Sequence, residues 1–298
     1  MAKEKTLIVI AGPTASGKTD LSLLIAKHFN TCIVSADSRQ FYKEMIIGTA
    51  MPSAEVLSEI PHFFIGHLSI HDNYNVSSFE TEALTVLDEC FRTKDVVVAC
   101  GGSGLYLDAL CYGIDELPDP NPELRNSLTL RYEKEGLIPL LNLLQELDPA
   151  YYKIVDKKNP HRILRALEVC LQTGKSYTSQ RTRTPKKRNF NIQKYCLSLP
   201  RNVLNERINQ RTDEMMKAGL LAEAQSLYPY RHVNALKTVG YKELFDFMDK
   251  KCTLEESVEK IKTHTRRYAK RQITWFKRDS SYQWANPEEI HLELTRKI

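Results

Sequence analysis

One segment of the chain combines glycines, a lysine and a threonine at a spacing that suits phosphate binding. Residues 12–19 read GPTASGKT, a full match to the pattern G-x-x-x-x-G-K-[ST], and they lie between a strand-like and a helix-like segment. In such a P-loop the backbone amides and the helix N-terminus converge on phosphate oxygens, Lys18 adds a positive charge, and the Thr19 hydroxyl can bind Mg²⁺. The segment predicts phosphate binding and leaves the reaction open.

Asp37 follows the next strand-like segment, CIVS, and would lie beside this loop. An NTPase could use such a carboxylate to bind magnesium, a small-molecule kinase could use it as the base for an acceptor hydroxyl, and another transferase could also use it as a base. An aspartate that only caps a turn is a further interpretation. The strand-like segment VVVAC ends in glycine and brings no second magnesium carboxylate, which disfavours a motor or switch NTPase.

Two further segments could border the same site. Residues 101–104, GGSG, form another strand-to-helix turn whose amides would face the same crevice, although such a turn also occurs without a ligand. Residues 237–242, KTVGYK, offer either a cationic edge or a solvated loop.

The elements that must position these residues alternate between strands and helices in the first third of the chain. TLIVIA, CIVS and VVVAC read as strands, the stretch around residues 61–75 reads as irregular, and Ser77 with Glu80 has the spacing of a capping box that opens a helix. Such alternation implies a parallel sheet whose ligands gather at the carboxyl ends of the strands. We predict an α/β fold, a P-loop NTPase-like core with a central parallel sheet flanked by helices.

The alternation stops at Pro118, and the chain from there to about Arg188 reads as helical. We therefore predict an all-helical domain, residues 116–189, inserted into a catalytic core made of residues 1–115 and 190–298. Strand character returns at Tyr195, and the helix that starts at about Leu254 is expected to be the last element.

Positive charge is concentrated in two places, although the net charge is only +5. The first is a run with Arg181, Arg183, Lys186, Lys187 and Arg188. The second is one face of the helix from about Leu254, with Arg267, Lys270, Arg271, Thr274 and Arg278, while Ile261, Tyr268 and Trp275 share another face. A basic face is often only solvated, but two such clusters indicate contact with a polyanion.

The composition is that of a globular chain: 298 residues, 42% hydrophobic and 27% charged, without the run of about 18 apolar residues that a membrane span needs. The start, MAKEKTLIVI, passes into a strand without a signal-peptide cleavage site, so we expect a cytoplasmic protein without membrane association. The seven cysteines form no C-x-x-C pair, which indicates reduced thiols and neither a disulfide framework nor a zinc module.

Six segments, taken in order, resemble the tRNA dimethylallyltransferase family, also called tRNA isopentenyltransferases or IPP transferases. The segments are GPTASGKT, ADSRQFYKEMIIGTAMPS, GGSGLYLDAL, NPHRILRALEV, KTVGYKEL and AKRQITWFKR, and they span nearly the whole chain. The P-loop alone would not identify the family. The series is specific, above all D-S-x-x-x-Y-K-x-M-x-I-G-T-A and K-R-Q-x-T-W.

The resemblance implies transfer of a dimethylallyl group from dimethylallyl diphosphate to N6 of the adenosine 3′-adjacent to the tRNA anticodon, with Mg²⁺ as cofactor. By it, Asp37 takes a proton from N6, and Ser103, where the family more often has threonine, helps to position the diphosphate end or the reacting base. The residues implied to bind the diphosphate are Gly12, Pro13, Thr14, Ala15, Ser16, Gly17, Lys18 and Thr19, the last also binding the metal.

The same resemblance implies that the anticodon stem-loop of tRNA is the macromolecular partner of what we expect to be a monomer. Lys237 replaces an arginine usual in the family, which keeps the charge and loses the bidentate fork. The implied tRNA contacts are Asp37, Ser38, Arg39, Gln40, Ser103, Arg125, His161, Arg162, Ile163, Leu164, Arg165, Lys237, Thr238, Val239, Gly240, Tyr241, Lys242, Lys270, Arg271, Gln272, Thr274, Trp275 and Lys277.

Three other interpretations stay open. An adenylate isopentenyltransferase would prenylate free AMP, ADP or ATP, and it would not need two basic clusters. A small-molecule or nucleotide kinase would bind ATP at the P-loop and use Asp37 as its base. An RNA-binding module would bind tRNA tightly, form no product and tolerate the loss of Asp37.

Overall fold

The structure, a computed structural model, describes residues 4–182 and 184–296. The chain forms two compact units: one comprises the residues up to Tyr112 together with those from Lys187 onward, and the other comprises Gly113–Lys186. The first unit holds the described strands and the second is helical. The predicted α/β class, a central parallel sheet with an inserted helical segment, is confirmed.

One parallel sheet organises the first unit. Its strands are β1 Thr6–Ala11, β2 Ile33–Ser35, β3 His62–Phe63, β4 Val96–Gly101, β5 Asn191–Leu197 and β6 Gln283–Ala285. They lie in the order β3-β2-β4-β1-β5-β6, with Thr6 opposite Val96 of β4 and opposite Asn191 of β5. Residues 7–11 of β1 are at most 2% exposed, because helices cover both faces of a parallel sheet.

The helices follow the chain from the P-loop to the C-terminal region. They are α1 Lys18–His28, α2 Ala54–Glu59, α3 Val76–Phe91, α4 Gly104–Tyr112, α5 Pro122–Glu135, α6 Ile138–Leu147, α7 Pro149–Ile154, α8 Pro160–Thr173, α9 Tyr177–Gln180, α10 Arg201–Lys217, α11 Leu220–Leu227, α12 Tyr241–Met248, α13 Leu254–Phe276 and α14 Pro287–Arg296. Of these, α5 to α9 belong to the second unit.

The two faces of the sheet carry separate cores, because successive side chains of a strand point to opposite faces. Leu7 and Val9 of β1 pack in a cluster with α3 and α4. Ile8 and Ile10 pack in another cluster with α1 and α14. A third cluster joins α11, α12 and α13. The sheet is therefore held from both sides, which fixes the positions of its carboxyl ends.

The long helix α13 carries both a buried and a basic face. It opens with a capping box in which Thr253 accepts from the Glu256 amide and the Glu256 side chain accepts from the Thr253 amide. Its buried residues include Ile261, Gln272 and Phe276, and its predicted basic residues are exposed.

Three sequence-based predictions about elements are wrong. The helix α3 is capped by Asn75, whose Oδ1 accepts from the amides of Ser77 and Ser78 at 2.8 and 3.0 Å, so the predicted capping box of Ser77 and Glu80 does not form. The short strand β3 lies in the stretch that reads as irregular. Both β6 and α14 follow the helix expected to be the last element. Strands of two or three residues are too short to show a period.

Glu80 and Arg188 instead form a buried ion pair. Arg188 Nη2 lies 2.9 Å from Glu80 Oε1, and each side chain is 7% exposed. The guanidinium also donates to the carbonyls of Ala109 at 2.6 Å and Leu110 at 3.0 Å. The charge of Arg188 therefore anchors the chain just before β5 and is not part of a basic surface.

The second unit packs α5, α6, α7 and α8 around a core that includes Leu140, Leu144 and Ile163. Within it, Oε2 of the buried Glu168 accepts from Arg125 at 2.6 Å and from Arg165 at 2.9 Å. Arg125 therefore helps to hold α5 against α8. Arg165 lies on α8 itself, pairs with Glu168 three residues along the helix, and donates to the Pro118 carbonyl at 2.8 Å. One carboxylate thus offsets part of the charge of both arginines.

No helix within 4–182 and 184–296 has the length and apolar character to cross a membrane. All seven cysteines are free thiols in the structure. Two of them, Cys32 and Cys90, lie in contact, with their sulfur atoms 3.0 Å apart.

Replacing Arg188 with methionine should lower the free energy of unfolding by about 3–5 kcal/mol, because it removes the ion pair of a buried carboxylate and the donor to two carbonyls. Urea denaturation measures the change. Lys187→Met, at the neighbouring exposed position, should change the stability by less than about 0.5 kcal/mol. Equal stability of the two variants would contradict the anchoring role of Arg188.

Candidate active site

The carboxyl ends of β1, β2 and β4 meet at one edge of the sheet, and a predicted site segment follows each. The 12–19 loop follows β1, Asp37 comes two residues after β2, and the GGSG turn begins at the end of β4. These ends border a cavity of about 660 Å³, whose other walls come from residues 48–50, α10, residues 237–243 and α13. The segments that the sequence placed at this edge are therefore brought together.

The P-loop is shaped by glycines that no other residue could replace without strain. Gly12 has a φ of 155° and Gly17 a φ of 90°. A Cβ on Gly12 would lie 3.0 Å from Ser16 Oγ and 3.1 Å from Leu197 Cβ, so the loop closes tightly on itself. Lys18 Nζ donates to the carbonyl of Pro13 at 2.7 Å. The loop thus directs the ammonium group and the start of α1 to the same cavity.

Two cations lie close together in this cavity. Burial lowers the pKa of Lys18 below its usual value, while Cys100 and the Asp37 carboxylate oppose that shift. Burial also lowers the pKa of Arg211, again with Asp37 opposing. Neither cation forms an ion pair with another residue in the described part of the chain. A site with two enclosed cations beside one carboxylate is suited to an anion.

Arg211 lines the cavity, although nothing in the sequence indicates that it does. It lies on α10, where it donates weakly to the carbonyl of Thr49 at 3.5 Å. The sequence of α10, RNVLNERINQRTDEMMK, is polar almost throughout, so this arginine looks like any solvated one. Arg211 reaches the cavity only because α10 packs across the carboxyl ends of the strands.

Asp37 has one oxygen engaged in local structure and lines the cavity. Its Oδ1 accepts from the Arg39 amide at 3.0 Å, and its own amide donates to Ser35 Oγ at 3.4 Å. The interpretation of Asp37 as a residue that only caps a turn therefore accounts for one of its two carboxylate oxygens. For Oδ2 there is no hydrogen bond to any other described residue, which leaves that oxygen able to accept a proton from a ligand.

Ser103 connects the GGSG turn to the segment after β2. Its Oγ accepts from the Ser38 amide at 3.0 Å and lies 3.1 Å from Ser38 Oγ. A Cβ on Gly101 would lie 2.4 Å from the Ala36 carbonyl oxygen, so glycine is needed for the two segments to approach. The hydroxyl pair is therefore held next to Asp37.

Tyr268 is a second residue whose location the sequence did not predict. The sequence pattern places it with Ile261 and Trp275 on one side of α13, yet it lines the cavity. Burial raises its pKa to about 12, with the Asp37 carboxylate adding to the shift and a hydrogen bond to Ser103 opposing it. The phenol therefore stays protonated beside the carboxylate at neutral pH.

Gln272 ties α13 to two of the site's loops. Its Oε1 accepts from the Thr14 amide and its Nε2 donates to the Gly102 carbonyl, both at 2.9 Å. A Cβ on Gly102 would lie 2.4 Å from that Nε2. Since both ends of this amide are used and the side chain is buried, Gln272 braces the two loops at the cavity wall, and its contact with tRNA stays a prediction.

Gln40 and Arg39 are held by loops distant in sequence. Gln40 Nε2 donates to the carbonyls of Thr49 and Ala50 at 3.3 and 3.1 Å. Arg39 donates to the Ala235 carbonyl at 3.0 Å, which links it to the segment before Lys237. Both residues line the cavity, so the predicted Ser38–Gln40 segment forms one of its walls.

The remaining predicted tRNA contacts differ in accessibility. Ile163 and Tyr241 are fully buried and pack in cores, so their side chains are not accessible to RNA in this structure, and Gly240 is buried as well; the contact of all three with tRNA stays a prediction. Half-buried positions are Leu164, Arg165, Thr238, Val239 and Trp275. Exposed positions are Arg125, His161, Arg162, Lys237, Lys242, Lys270, Arg271, Thr274 and Lys277.

The basic face of α13 borders a shallow recess of about 440 Å³. In it, Trp275 Nε1 donates to Asp108 Oδ2 at 2.9 Å, and the Arg278 guanidinium lies 3.9 Å from the Trp275 ring. A Cβ on Gly104 would overlap the Trp275 ring at 2.2 Å. Trp275 is therefore seated against α4 with its cationic neighbours exposed.

The other basic run, residues 181–188, is less available than its sequence suggests. Arg188 is buried, and the Arg181 guanidinium lies over the ring of Tyr177 at 5.1 Å. Lys186 lies 3.6 Å from Glu116. Arg183 lies outside the described residues. Among the described positions of the run, Lys187 is the exposed cation for which no ion pair occurs.

A family model described as IPP transferase matches residues 40–279. A relative from Phocaeicola vulgatus, tRNA dimethylallyltransferase 1, is 51% identical over 284 residues, which is 95% of this chain and 95% of the relative. A protein of the same name from Bacteroides fragilis is 50% identical over 285 residues, 96% of this chain and 95% of its own.

Solved structures agree with these relatives. The tRNA isopentenylpyrophosphate transferase of Bacillus halodurans is 32% identical with a TM-score of 0.71, covering 99% of this chain and 95% of its own. A eukaryotic dimethylallyltransferase acting on tRNA is 27% identical with a TM-score of 0.77, covering 95% of this chain and 74% of its own. Because the family model matches most of the chain and the relatives match nearly all of it, the chain belongs to the IPP transferase family.

Proposed function

We propose that the protein transfers the dimethylallyl group of dimethylallyl diphosphate to N6 of the adenosine 3′-adjacent to the anticodon in tRNA. The observation that carries this proposal is the cavity in which the enclosed cations Lys18 and Arg211 lie beside the Asp37 carboxylate. It offers a diphosphate site and a proton acceptor within one enclosure. The relatives named tRNA dimethylallyltransferase support the choice of substrates.

The diphosphate half of the reaction uses the P-loop. Backbone amides of residues 12–19 and the ammonium of Lys18 bind the phosphate oxygens, and Arg211 adds a second positive charge from α10. Thr19 fits a magnesium site, since its hydroxyl belongs to the first turn of α1, is exposed and borders the cavity, and Mg²⁺ prefers oxygen ligands. When bound, Mg²⁺ would offset the charge of the departing diphosphate.

The adenine half uses the wall that contains Asp37. The N6 lone pair forms a bond to C1 of the dimethylallyl group, the C1–O bond breaks, and its electron pair leaves with the diphosphate. The proton of N6 passes to Asp37, because an exocyclic amine delocalised into the ring is a poor nucleophile without a base. Ser103, with Ser38, orients the reacting groups. Arg39 and Gln40 grip the base from the same wall. Gln40 is held through its Nε2 by the Thr49 and Ala50 carbonyls and presents its Oε1 as an acceptor.

Adenosine in an anticodon loop has to leave the stack to enter such a cavity, which costs a few kcal/mol. Contacts with the RNA backbone outside the cavity offset that cost. We assign them to exposed cations: Lys237, Lys242 and Arg271 line the cavity, Lys270 lines the recess on α13, and Lys277 follows the end of that helix. His161 and Arg162 of the helical unit, also exposed, are further candidates.

The function is tested with purified protein, Mg²⁺, labelled dimethylallyl diphosphate and unmodified tRNA, with AMP in place of tRNA in a parallel reaction. Products are digested to nucleosides and separated. Label in N6-dimethylallyladenosine from tRNA alone is the expected result. Label on AMP would move the activity to free nucleotides, and ATP turnover with label in neither product would favour a kinase.

Replacing Asp37 with asparagine should lower kcat by roughly 10²–10⁴-fold, because the amide can still accept from the Arg39 amide but cannot take the proton. Single-turnover product formation measures the loss. The Kd for tRNA, measured in the absence of the prenyl donor, should stay within about twofold of the wild type. Full activity of this variant would remove Asp37 from the role of base.

Replacing Arg211 with glutamine should weaken the binding of inorganic diphosphate in the presence of Mg²⁺ by at least about tenfold, since one of the two enclosed cations beside Asp37 is lost. Isothermal titration calorimetry measures the affinity. The control is Arg92→Gln, an exposed arginine before β4 at the opposite edge of the sheet. Unchanged affinity in the Arg211 variant would place the diphosphate elsewhere.

The double variant Lys270→Gln with Arg271→Gln should weaken tRNA binding and flatten its dependence on salt. The slope of log K against log salt falls in magnitude by about 0.7–0.9 for each phosphate that the protein no longer neutralises. Filter binding at several salt concentrations measures it. Lys27→Gln with Arg92→Gln removes the same charges from the opposite edge of the sheet and should keep the wild-type slope. An identical slope in both double variants would exclude this face of α13.

A further inference from the structure

A single carboxylate organises the loop that follows Met45. Glu223, on α11, accepts from three consecutive backbone amides: Oε2 from Ile46 at 3.0 Å and Ile47 at 2.7 Å, and Oε1 from Gly48 at 2.9 Å. Oε1 also accepts from the hydroxyl of Tyr241 at 2.6 Å. An ionised carboxylate has about four acceptor positions, so Glu223 is fully used by these four donors.

Tyr241 packs so closely against this loop that no side chain fits at position 48. Tyr241 is fully buried, and burial together with Glu223 holds the pKa of its hydroxyl above its usual value. A Cβ on Gly48 would lie 2.5 Å from the Tyr241 oxygen, so only glycine fits. Glu223, Gly48 and Tyr241 therefore form a closed set, although about 175 residues of chain separate Gly48 from Glu223.

The loop held in this way forms a wall of the cavity. Gly48, Thr49 and Ala50 all line it, whereas Glu223 does not. The carbonyls of Thr49 and Ala50 accept the two hydrogen bonds of Gln40 Nε2, at 3.3 and 3.1 Å. The link from Thr49 to Arg211 is longer, at 3.5 Å. Displacement of the loop would therefore act first on Gln40 and only weakly on the cation that faces the diphosphate.

We propose that Glu223 is a positioning residue for the adenosine side of the cavity, acting through the 46–50 loop on Gln40. The proposal rests on the function proposed above, because it assigns Gln40 to the grip on the target base. The two halves of the site then differ. The P-loop binds its anion independently of Glu223, whereas the position of the acceptor wall depends on Glu223. A purely structural glutamate would affect both halves alike.

The test compares Glu223→Gln with the wild type in three measurements. The amide retains the shape but turns an NH₂ group toward backbone donors. We expect kcat/KM for tRNA to fall at least tenfold, the Kd for inorganic diphosphate with Mg²⁺ to stay within twofold, and hydrogen exchange at the amides of Ile46, Ile47 and Gly48 to accelerate. Glu206→Gln, the same substitution at an exposed site on α10, should leave all three unchanged.

A double-variant cycle tests whether Glu223 acts through Gln40. In a Gln40→Ala background the Glu223→Gln substitution should cost less than threefold in kcat/KM, because the group it positions is gone. Additive losses would overturn the proposal, as would an equal loss of diphosphate affinity. Should Glu223→Gln fail to fold, Tyr241→Phe removes one donor to the carboxylate and should give a smaller effect of the same pattern.

These outcomes are distinct from a failure of the proposed function. Absence of prenylated tRNA with the wild-type protein would reject the function. Hydrogen exchange and diphosphate affinity do not require the reaction, and unchanged exchange at the three amides in Glu223→Gln would reject the positioning role on its own.

Discussion

Two enclosed cations, Lys18 and Arg211, share one cavity with the Asp37 carboxylate, which acts on the pKa of both. Burial lowers the pKa of both cations, which means that the folded protein bears a cost for keeping them charged until an anion arrives. Glycines with positive φ at both ends of the P-loop, Gly12 and Gly17, allow the tight turn that brings Lys18 to this cavity. An anion of two phosphates suits this arrangement better than a neutral ligand.

The helix α13 couples that cavity to the surface. Its buried face reaches the P-loop and the GGSG turn through the two hydrogen bonds of Gln272 and reaches α4 through Trp275 and Asp108. Its other face is basic and exposed. Because α13 is one continuous helix of 23 residues, the cations of that face have a fixed position relative to the P-loop. A polyanion bound there would be held in register with the cavity.

Arginines show how far charge in a sequence can mislead. Arg188, Arg125 and Arg165 all belong to segments that indicate RNA binding, yet each is paired with a glutamate that is largely buried. Glu80 is distant in sequence from Arg188, and Glu168 is distant from Arg125 although it is close to Arg165. Nothing in the neighbouring sequence distinguishes such an arginine from a solvated one. Arg211 shows the opposite case, a site residue on a helix whose composition suggests only solvent.

The sequence by itself determined the parts of the protein whose physics is local. The glycine spacing of residues 12–19, the apolar runs of β1 and β4 and the order of strands and helices were enough to predict a parallel sheet with a phosphate site at its carboxyl edge. The motifs were enough to indicate the family. These features depend on backbone conformation and hydrophobic period, which neighbouring residues set.

The tertiary structure alone decided which polar groups face the cavity and which support it. Gln272, Tyr241 and Glu223 look like surface or ligand-contacting residues in the sequence, but their hydrogen bonds join segments 18 to 258 positions apart. Only the packing of α10 to α13 against the strand ends brings those partners together. A hydrogen bond between distant segments leaves no periodic trace in a sequence, because its two halves are fixed by the fold and not by their neighbours.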